Sequence, residues 1–200
     1  MQAHDVEPQL RWLVDRDLIR ELSHRYALAI DSRDLDGLVD LFVDDYEVVD
    51  GRRGKTALRN WFRMILSSYT TSIHMMGNHI ISFDPDNADR ATGIVYCRCE
   101  LEVRPQWILS CLLYRDAYQR IGSDWRFRKH DILGWYATDA REPPIGQNKA
   151  RWSPTNEIDI PKLPTAPAEA FMVPDAWPSW TSFWNDIARR RAERAGTGEA

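Results

Sequence analysis

The 200-residue sequence has little of what several classes of protein require. It contains three cysteines, and two of them lie as Cys97-x-Cys99 on one face of a predicted strand. This spacing is poor for a mutual disulfide and does not form a CxxC zinc site. We interpret these residues as small buried thiols of a reducing cytoplasm. No apolar run approaches the roughly 18 residues of a membrane span, and the polar first residues do not resemble a signal peptide.

An excess of positive charge is missing as well. The chain has 26 Lys and Arg against 30 Asp and Glu, a formal net charge of −4, which gives no electrostatic basis for binding nucleic acid. The motifs GxGxxG, P-loop, HExxH and GxSxG are all absent. We therefore expect no cofactor, no metal, no nucleic acid and no membrane as partners.

Aromatic side chains, in contrast, are abundant. Nine Trp and seven Tyr either fill a core or line a pocket for an apolar ligand, such as an aromatic one. A hydrophobic content of 44% in 200 residues is sufficient for one domain with a substantial core.

The first part of the chain has the apolar spacing of helices. A first helix is predicted from Val14 to about Asp31, after a loose lead-in, and Asp34 suits the N-cap of a short second helix. The pattern then predicts a short strand over residues 46–49 and a third helix over residues 56–68.

The pattern changes to that of strands near Thr70. Turn residues at 84–87 and at Gly122-Ser123 divide a predicted antiparallel meander into strands over residues 70–83, 91–103, 107–120 and 124–136. Helices followed by a long antiparallel sheet predict an α+β fold with three N-terminal helices packed on one face of a curved sheet.

The composition changes again near Arg141. Eight of the eleven prolines follow it, together with several tryptophans. We therefore divide the chain into a domain over residues 1–140 and an arm over residues 141–200. The arm is predicted to end in a helix and to pack on the domain or on a neighbouring subunit.

Two histidines lie in the β-rich stretch TTSIHMMGNHII. His74 and His79 are five residues apart, so a regular strand sends them to opposite faces unless a bulge at Gly77 resets the alternation. We expect His74 to face inward and His79 to be structural or exposed. His130 alternates with two arginines, which predicts a solvated or rim position.

Asp31 closes the first helix and is a candidate partner for His74. A carboxylate that bonds an imidazole fixes its tautomer and leaves the other ring nitrogen free to take a proton. The alternative, that Asp31 marks only a helix end and His74 is a structural histidine, stays open from spacing alone.

Three segments together carry a resemblance to a known family: RELSHRYALAIDSRDLDGLVDLFVDD, the helix containing ALRNWF, and TSIHMMGNHII. They resemble the SnoaL-like group of the NTF2-like superfamily, in particular its branch of lyases with scytalone dehydratase, bile-acid 7α-dehydratase and lindane dehydrochlorinase. The hairpin YRDAYQRIGSDWRFRKHDI is similar to the last one of that fold, and the resemblance covers about residues 14–137. It implies a cone-shaped α+β fold with a deep apolar pocket, often as a homodimer or homotrimer.

The resemblance also implies roles for particular residues. Asp31 and His74 match the catalytic pair of the family, and Tyr26 matches a tyrosine that orients the substrate or assists as an acid. Two family positions differ, because Val95 and Cys99 replace a second pocket histidine and an aspartate. The general acid is therefore unassigned among Tyr26, His130 and a phenol of the substrate. The predicted substrate-binding residues are His130, Asn78, Trp61, Cys99, Val95 and Trp107.

The function predicted from these features is a cofactor-independent lyase of aromatic compound catabolism. Its substrate would be hydrophobic, hydroxylated and aromatic or polycyclic. The reaction would be a dehydratase-type elimination or a formaldehyde-releasing C–C cleavage of a lignin-derived diaryl compound. Two alternatives are a steroid or polyketide isomerase or cyclase, and a non-catalytic ligand-binding protein of the same fold.

Overall fold

A computed structural model describes residues 6–142 of the chain. Three helices come first, followed by four strands that pair antiparallel in the order β1-β2-β3-β4. This arrangement confirms the predicted α+β fold with a curved antiparallel sheet. The elements are α1 (Val6–Ser32), α2 (Leu35–Asp40), α3 (Lys55–Leu66), β1 (Thr71–Phe83), β2 (Arg90–Val103), β3 (Gln106–Ile121) and β4 (Asp124–Asp139).

Two predicted elements differ from the structure. Helix α1 begins at Val6 rather than Val14, because the side chains of its first turns are exposed and leave no buried stripe in the sequence. Residues 46–49 form no strand, and only an isolated bridge joins Glu47 to Arg53. The predicted arm lies outside the described residues, apart from its first two positions.

The core lies between the helices and the inner face of the sheet. Alternate residues of β2, from Ala91 to Val103, point into it, as the two-residue period of a strand requires. Helix α2 lies against this core and begins at Asp34, whose carboxylate accepts the Gly37 backbone N–H at 2.9 Å, the predicted N-cap. Within residues 6–142, no helix is long and apolar enough to cross a membrane.

Three β-bulges interrupt the pairing of the strands and change which residues face the core. In β1, Gly77 and Asn78 together lie opposite the single residue Tyr96, because Met76 pairs with Cys97 and the next paired residue of β1 lies opposite Val95. In β4 one bulge falls between Phe127 and Lys129 and another between Gly134 and Tyr136. An extra residue reverses the alternation of side chains beyond it, so each bulge turns the following residues of its strand to the other face.

A buried ion pair fastens α1 to the sheet. Asp15 on α1 accepts hydrogen bonds from the Arg120 guanidinium of β3 and from the Trp125 indole N–H of β4, the latter at 3.3 Å. Burial raises the pKa of Asp15, but these hydrogen bonds and the positive charge of Arg120 lower it overall. The contact fixes α1 across the sheet, so that the far end of the helix reaches β1.

We predict that Asp15→Asn destabilises the fold and weakens its sensitivity to acid. The free energy of unfolding at neutral pH should fall by about 3 kcal/mol, because Arg120 loses a buried partner. The pKa of Asp15 is lower in the folded state than in the unfolded state. Its contribution to the free energy of unfolding is therefore complete above the unfolded-state pKa of about 3.9 and is lost as the pH falls through the folded-state pKa. Denaturant titrations at several pH values measure both effects.

The exposed Asp17 on the same helix provides the matched control for this experiment. Asp17→Asn should leave the stability and its acid dependence close to those of the wild type. Equal losses for the two variants would contradict the role given to the Asp15 ion pair.

Candidate active site

Asp31 and His74 meet where the end of α1 crosses β1. The Nδ1 atom of His74 lies 2.7 Å from Asp31 Oδ1, and the backbone N–H of His74 donates to Asp31 Oδ2, also at 2.7 Å. One carboxylate therefore holds both the ring and the backbone of the histidine. The structure brings together the two residues that the sequence pointed to as a dyad.

The end of α1 is itself held against the start of β1. Arg33 adopts a left-handed conformation with φ of 62°, which ends the helix just after Asp31. Its guanidinium donates to the Ile30 carbonyl and to Ser72 Oγ, each at 2.7 Å, and lies over the Tyr69 ring. These contacts offset the unfavourable positive φ of a residue with a side chain and fix the position of Asp31.

The charge on the dyad follows from its hydrogen bonds. Burial raises the pKa of Asp31, but the ring and backbone hydrogen bonds from His74 lower it overall, so the carboxylate is ionised at neutral pH. An ionised carboxylate can only accept a hydrogen bond, so the hydrogen between Asp31 and the ring belongs to Nδ1. No described residue hydrogen-bonds Nε2 of His74, and this atom is left as an oriented base.

Tyr26 lies in an aromatic cluster on the same helix as Asp31. Its buried ring is 4.5 Å from the His130 ring and 6.0 Å from the Tyr114 ring, measured between centroids. Burial raises the pKa of Tyr26 well above its usual value, so the phenol keeps its proton. Tyr26 can pack against a bound molecule or hydrogen-bond to it, but it is a poor proton donor.

His79 faces inward rather than outward, because the bulge at Gly77 resets the alternation. Its Nε2 atom lies 3.0 Å from the Tyr118 hydroxyl, and that hydroxyl donates to Asp116 Oδ2 at 2.8 Å. Burial lowers the pKa of His79 to about 4, so its ring is neutral at neutral pH. The neutral ring must donate from Nε2, since the Tyr118 hydrogen is already directed at the carboxylate.

The prediction of a rim position for His130 is wrong. The bulge after Phe127 turns it inward, where its Nδ1 atom lies 2.7 Å from Asp116 Oδ1 and its side chain is 4% exposed. Asp116 did not appear among the predicted residues. A signal was present, because this carboxylate alternates with Tyr114 and Tyr118 at the inward positions of β3.

The two thiols lie between the histidines. Cys97 and Cys99 are buried free thiols with their sulfur atoms 3.5 Å apart, and no disulfide joins them, in agreement with the predicted buried thiols. The hydrogen bond from Cys99 lowers the pKa of Cys97 to about 7 against the effect of burial. Cys99 also lies directly opposite His74 in the strand register.

The remaining residues predicted to bind substrate differ in burial and in the face of the sheet on which they lie. Val95 and Cys99 are fully buried on the inner face, and Trp61 is half-buried against the core from α3. Trp107 precedes the inward-facing Ile108 and donates to Glu100 Oε2 at 3.0 Å, so it lies on the other face. Asn78 is exposed in the bulge. No group of three potential metal ligands occurs among residues 6–142.

We predict that Gly93→Ala disrupts the hydrogen bonds around Asp116. A Cβ atom at this position would lie 2.7 Å from the Tyr118 hydroxyl oxygen and 3.0 Å from His79 Nε2, so both side chains must move. Overpacking of this kind lowers the free energy of unfolding by about 1–3 kcal/mol. Denaturant unfolding should show this loss, with the exposed neighbour Thr92→Ala as control. Equal stability of the two variants would contradict the tight packing described.

Comparison with known proteins places this geometry in a family. The model of the SnoaL-like domain matches residues 11–131. The hexachlorocyclohexane dehydrochlorinase LinA-type3 from Novosphingobium barchaimii LL02 is 25% identical, with a TM-score of 0.59 over 66% of this chain and 93% of that chain. A putative scytalone dehydratase from Novosphingobium aromaticivorans DSM 12444 shares the fold at 20% identity and a TM-score of 0.56, over 68% and 97%. No curated protein matches significantly. The chain belongs to the SnoaL-like family of the NTF2-like superfamily.

Proposed function

We propose that the protein is a cofactor-independent lyase that acts on a hydrophobic, hydroxylated aromatic or polycyclic substrate. The observation that carries this proposal is the double hydrogen bond by which Asp31 holds both the ring and the backbone of His74. The SnoaL-like fold and the similarity to a dehydrochlorinase support a lyase or isomerase that needs no cofactor.

The reaction begins at His74 Nε2, which removes a proton from a carbon atom of the substrate. The electron pair of the broken C–H bond forms the double bond, and the neighbouring leaving group departs with its own bonding pair. Asp31 stabilises the imidazolium that forms, because its carboxylate already accepts the Nδ1 hydrogen. A positioned base of this kind typically contributes about 10²–10⁴-fold to the rate.

The same base supports a second reaction of the lyase class. Loss of water from a para-hydroxybenzyl alcohol gives a quinone methide. Removal of the proton from an adjacent hydroxymethyl group then releases formaldehyde, and the C–C bonding pair restores the aromatic ring. A lignin-derived diaryl compound has both groups, and the aromatic inner face of the sheet suits its rings.

Two other functions are compatible with the family. An isomerase or cyclase would use the same base to move a proton without loss of mass, so product mass separates it from a lyase. A ligand-binding protein would have no need for an oriented imidazole and carboxylate on an apolar surface, and we therefore prefer the enzyme. Assembly as a homodimer or homotrimer and a cytoplasmic location stay predictions.

The test is turnover of a panel of hydroxylated aromatic and polycyclic compounds by chelator-treated protein, followed through the ultraviolet absorbance of new conjugation. We predict that His74→Gln and Asp31→Asn each lower kcat by about 10²–10⁴-fold, because the base is removed or loses its orientation. His24→Gln, an exposed histidine on α1, should retain full turnover.

Circular dichroism and denaturant unfolding establish that each variant is folded. Turnover that survives in folded His74→Gln would overturn the assignment of the base. Absence of turnover across the panel by the wild type would favour the ligand-binding alternative.

A further inference from the structure

A second imidazole–carboxylate pair lies on the inner face and has no part in the base chemistry described above. We propose that His130 is the general acid of the elimination, donating the proton of its Nε2 to the departing hydroxyl group. This inference rests on the proposed function. A general acid is needed when the leaving group is a hydroxyl but not when it is a halide. The proposal therefore narrows the substrate class to compounds that lose water.

The first observation is an unpaired nitrogen. His130 Nε2 is buried and has no hydrogen-bond partner, whereas Nδ1 of the same ring bonds Asp116. A buried polar atom without a partner is unfavourable and uncommon in folded proteins, and a functional group that awaits its ligand is one accepted reason. The hydroxyl group of a substrate is a suitable partner for this atom.

The second observation is the direction of the hydrogen bonds around Asp116. His79 donates to the Tyr118 hydroxyl, which donates to one oxygen of Asp116, while His130 Nδ1 faces the other oxygen. Both carboxylate oxygens are therefore accepting. Within this network, Nε2 of His130 is the buried ring nitrogen that has no hydrogen-bond partner.

The third observation concerns charge. The side chain of Asp116 is 1% exposed, and within residues 6–142 no lysine or arginine forms an ion pair with it. The His130 ring is the side chain that pairs with this carboxylate, with Nδ1 at 2.7 Å from Oδ1. When Nε2 gives its proton to the leaving group, the ring stays hydrogen-bonded to Asp116 through Nδ1 and keeps its orientation.

The fourth observation links His130 to the base. Tyr26, on the helix that carries Asp31, packs its ring against His130. Tyr114 packs on His130 with ring centroids 4.7 Å apart, while its hydroxyl lies 4.0 Å from the sulfur of Cys99, the register partner of His74. The aromatic rings thus bridge the two dyads along the inner face.

The competing acid is Tyr26, and its burial argues against it. Burial raises the pKa of its phenol well above the usual value, which makes proton donation to a leaving group unfavourable. Tyr26 and Tyr114 instead shield the His130 ring from solvent, and this keeps bulk water from taking its proton.

The complete step balances. His74 takes the proton from carbon, the C–H pair forms the double bond, and the C–O pair leaves with oxygen. That oxygen takes the proton from His130 and departs as water. The two histidines end with one proton gained and one lost, so the return of a single proton from His74 to His130, after the product has left, restores the enzyme.

The experiment compares two leaving groups on one carbon skeleton. The probes are 3-hydroxy-1,3-diphenylpropan-1-one and its 3-chloro analogue, both of which give the conjugated ketone chalcone. Chloride can leave without being protonated, whereas the hydroxyl group needs a proton in order to leave as water. We predict that His130→Gln slows the hydroxy probe by about 10²–10⁴-fold and the chloro probe by less than about threefold. His74→Gln should slow both probes, and His24→Gln neither.

Asp116→Asn and Tyr118→Phe test the positioning residues. Each should reproduce the selective loss on the hydroxy probe, to a smaller extent for Tyr118→Phe, since it removes only one hydrogen bond to the carboxylate. A merely structural role would slow both probes alike. If His130→Gln is folded by circular dichroism and loses equal activity on the two probes, the proposal is overturned. If His130→Gln does not fold, Tyr118→Phe serves as the test in its place.

Chalcone binding gives a readout without turnover. In protein labelled with ¹⁵N-histidine, chalcone should perturb the ring resonances of both His74 and His130, identified from the two Gln variants. Perturbation of His74 alone would overturn the role of His130 and leave the proposed function intact. Perturbation of neither ring, together with no turnover of either probe, would overturn both.

Discussion

The hydrogen bonds from His74 to Asp31 are the contact on which the rest of the site depends. They join the last turn of α1 to β1, and they position and polarise one imidazole in the same step. Arg33 holds the C-terminal end of α1 and the ion pair of Asp15 holds its N-terminal half, so that this contact can form. The orientation of the His74 ring therefore depends on the same contacts that pack α1 against the sheet.

The bulges at Gly77 and after Phe127 complete the inner face. Without them, His79 and His130 would point away from the core, and Asp116 would lose its hydrogen bond to His130. The bulges thus place two histidines around that carboxylate while the hydrophobic register of the sheet is kept. The same inner face therefore carries an oriented base and a candidate acid, linked by the rings of Tyr26 and Tyr114.

Much of the architecture could be predicted from the sequence, because the change from helical to strand-like periodicity near Thr70 is a local signal. The pair of Asp31 and His74 could be proposed because it combines a helix end with a family resemblance. The glycine at position 77 indicated a bulge in β1, but the bulge after Phe127 falls among charged residues that carry no turn signal. The pairing of Asp116 with His130 depends on that non-local register, so neighbouring residues do not reveal it.

The most direct test of the central claim is a double-mutant cycle on kcat/KM, with a substrate identified from the panel. If Asp31 acts only through His74, the double variant His74→Gln/Asp31→Asn should be as slow as His74→Gln alone, within about threefold. If the two single losses multiply in the double variant, Asp31 and His74 act independently. The account of an aspartate-oriented histidine base would then be contradicted.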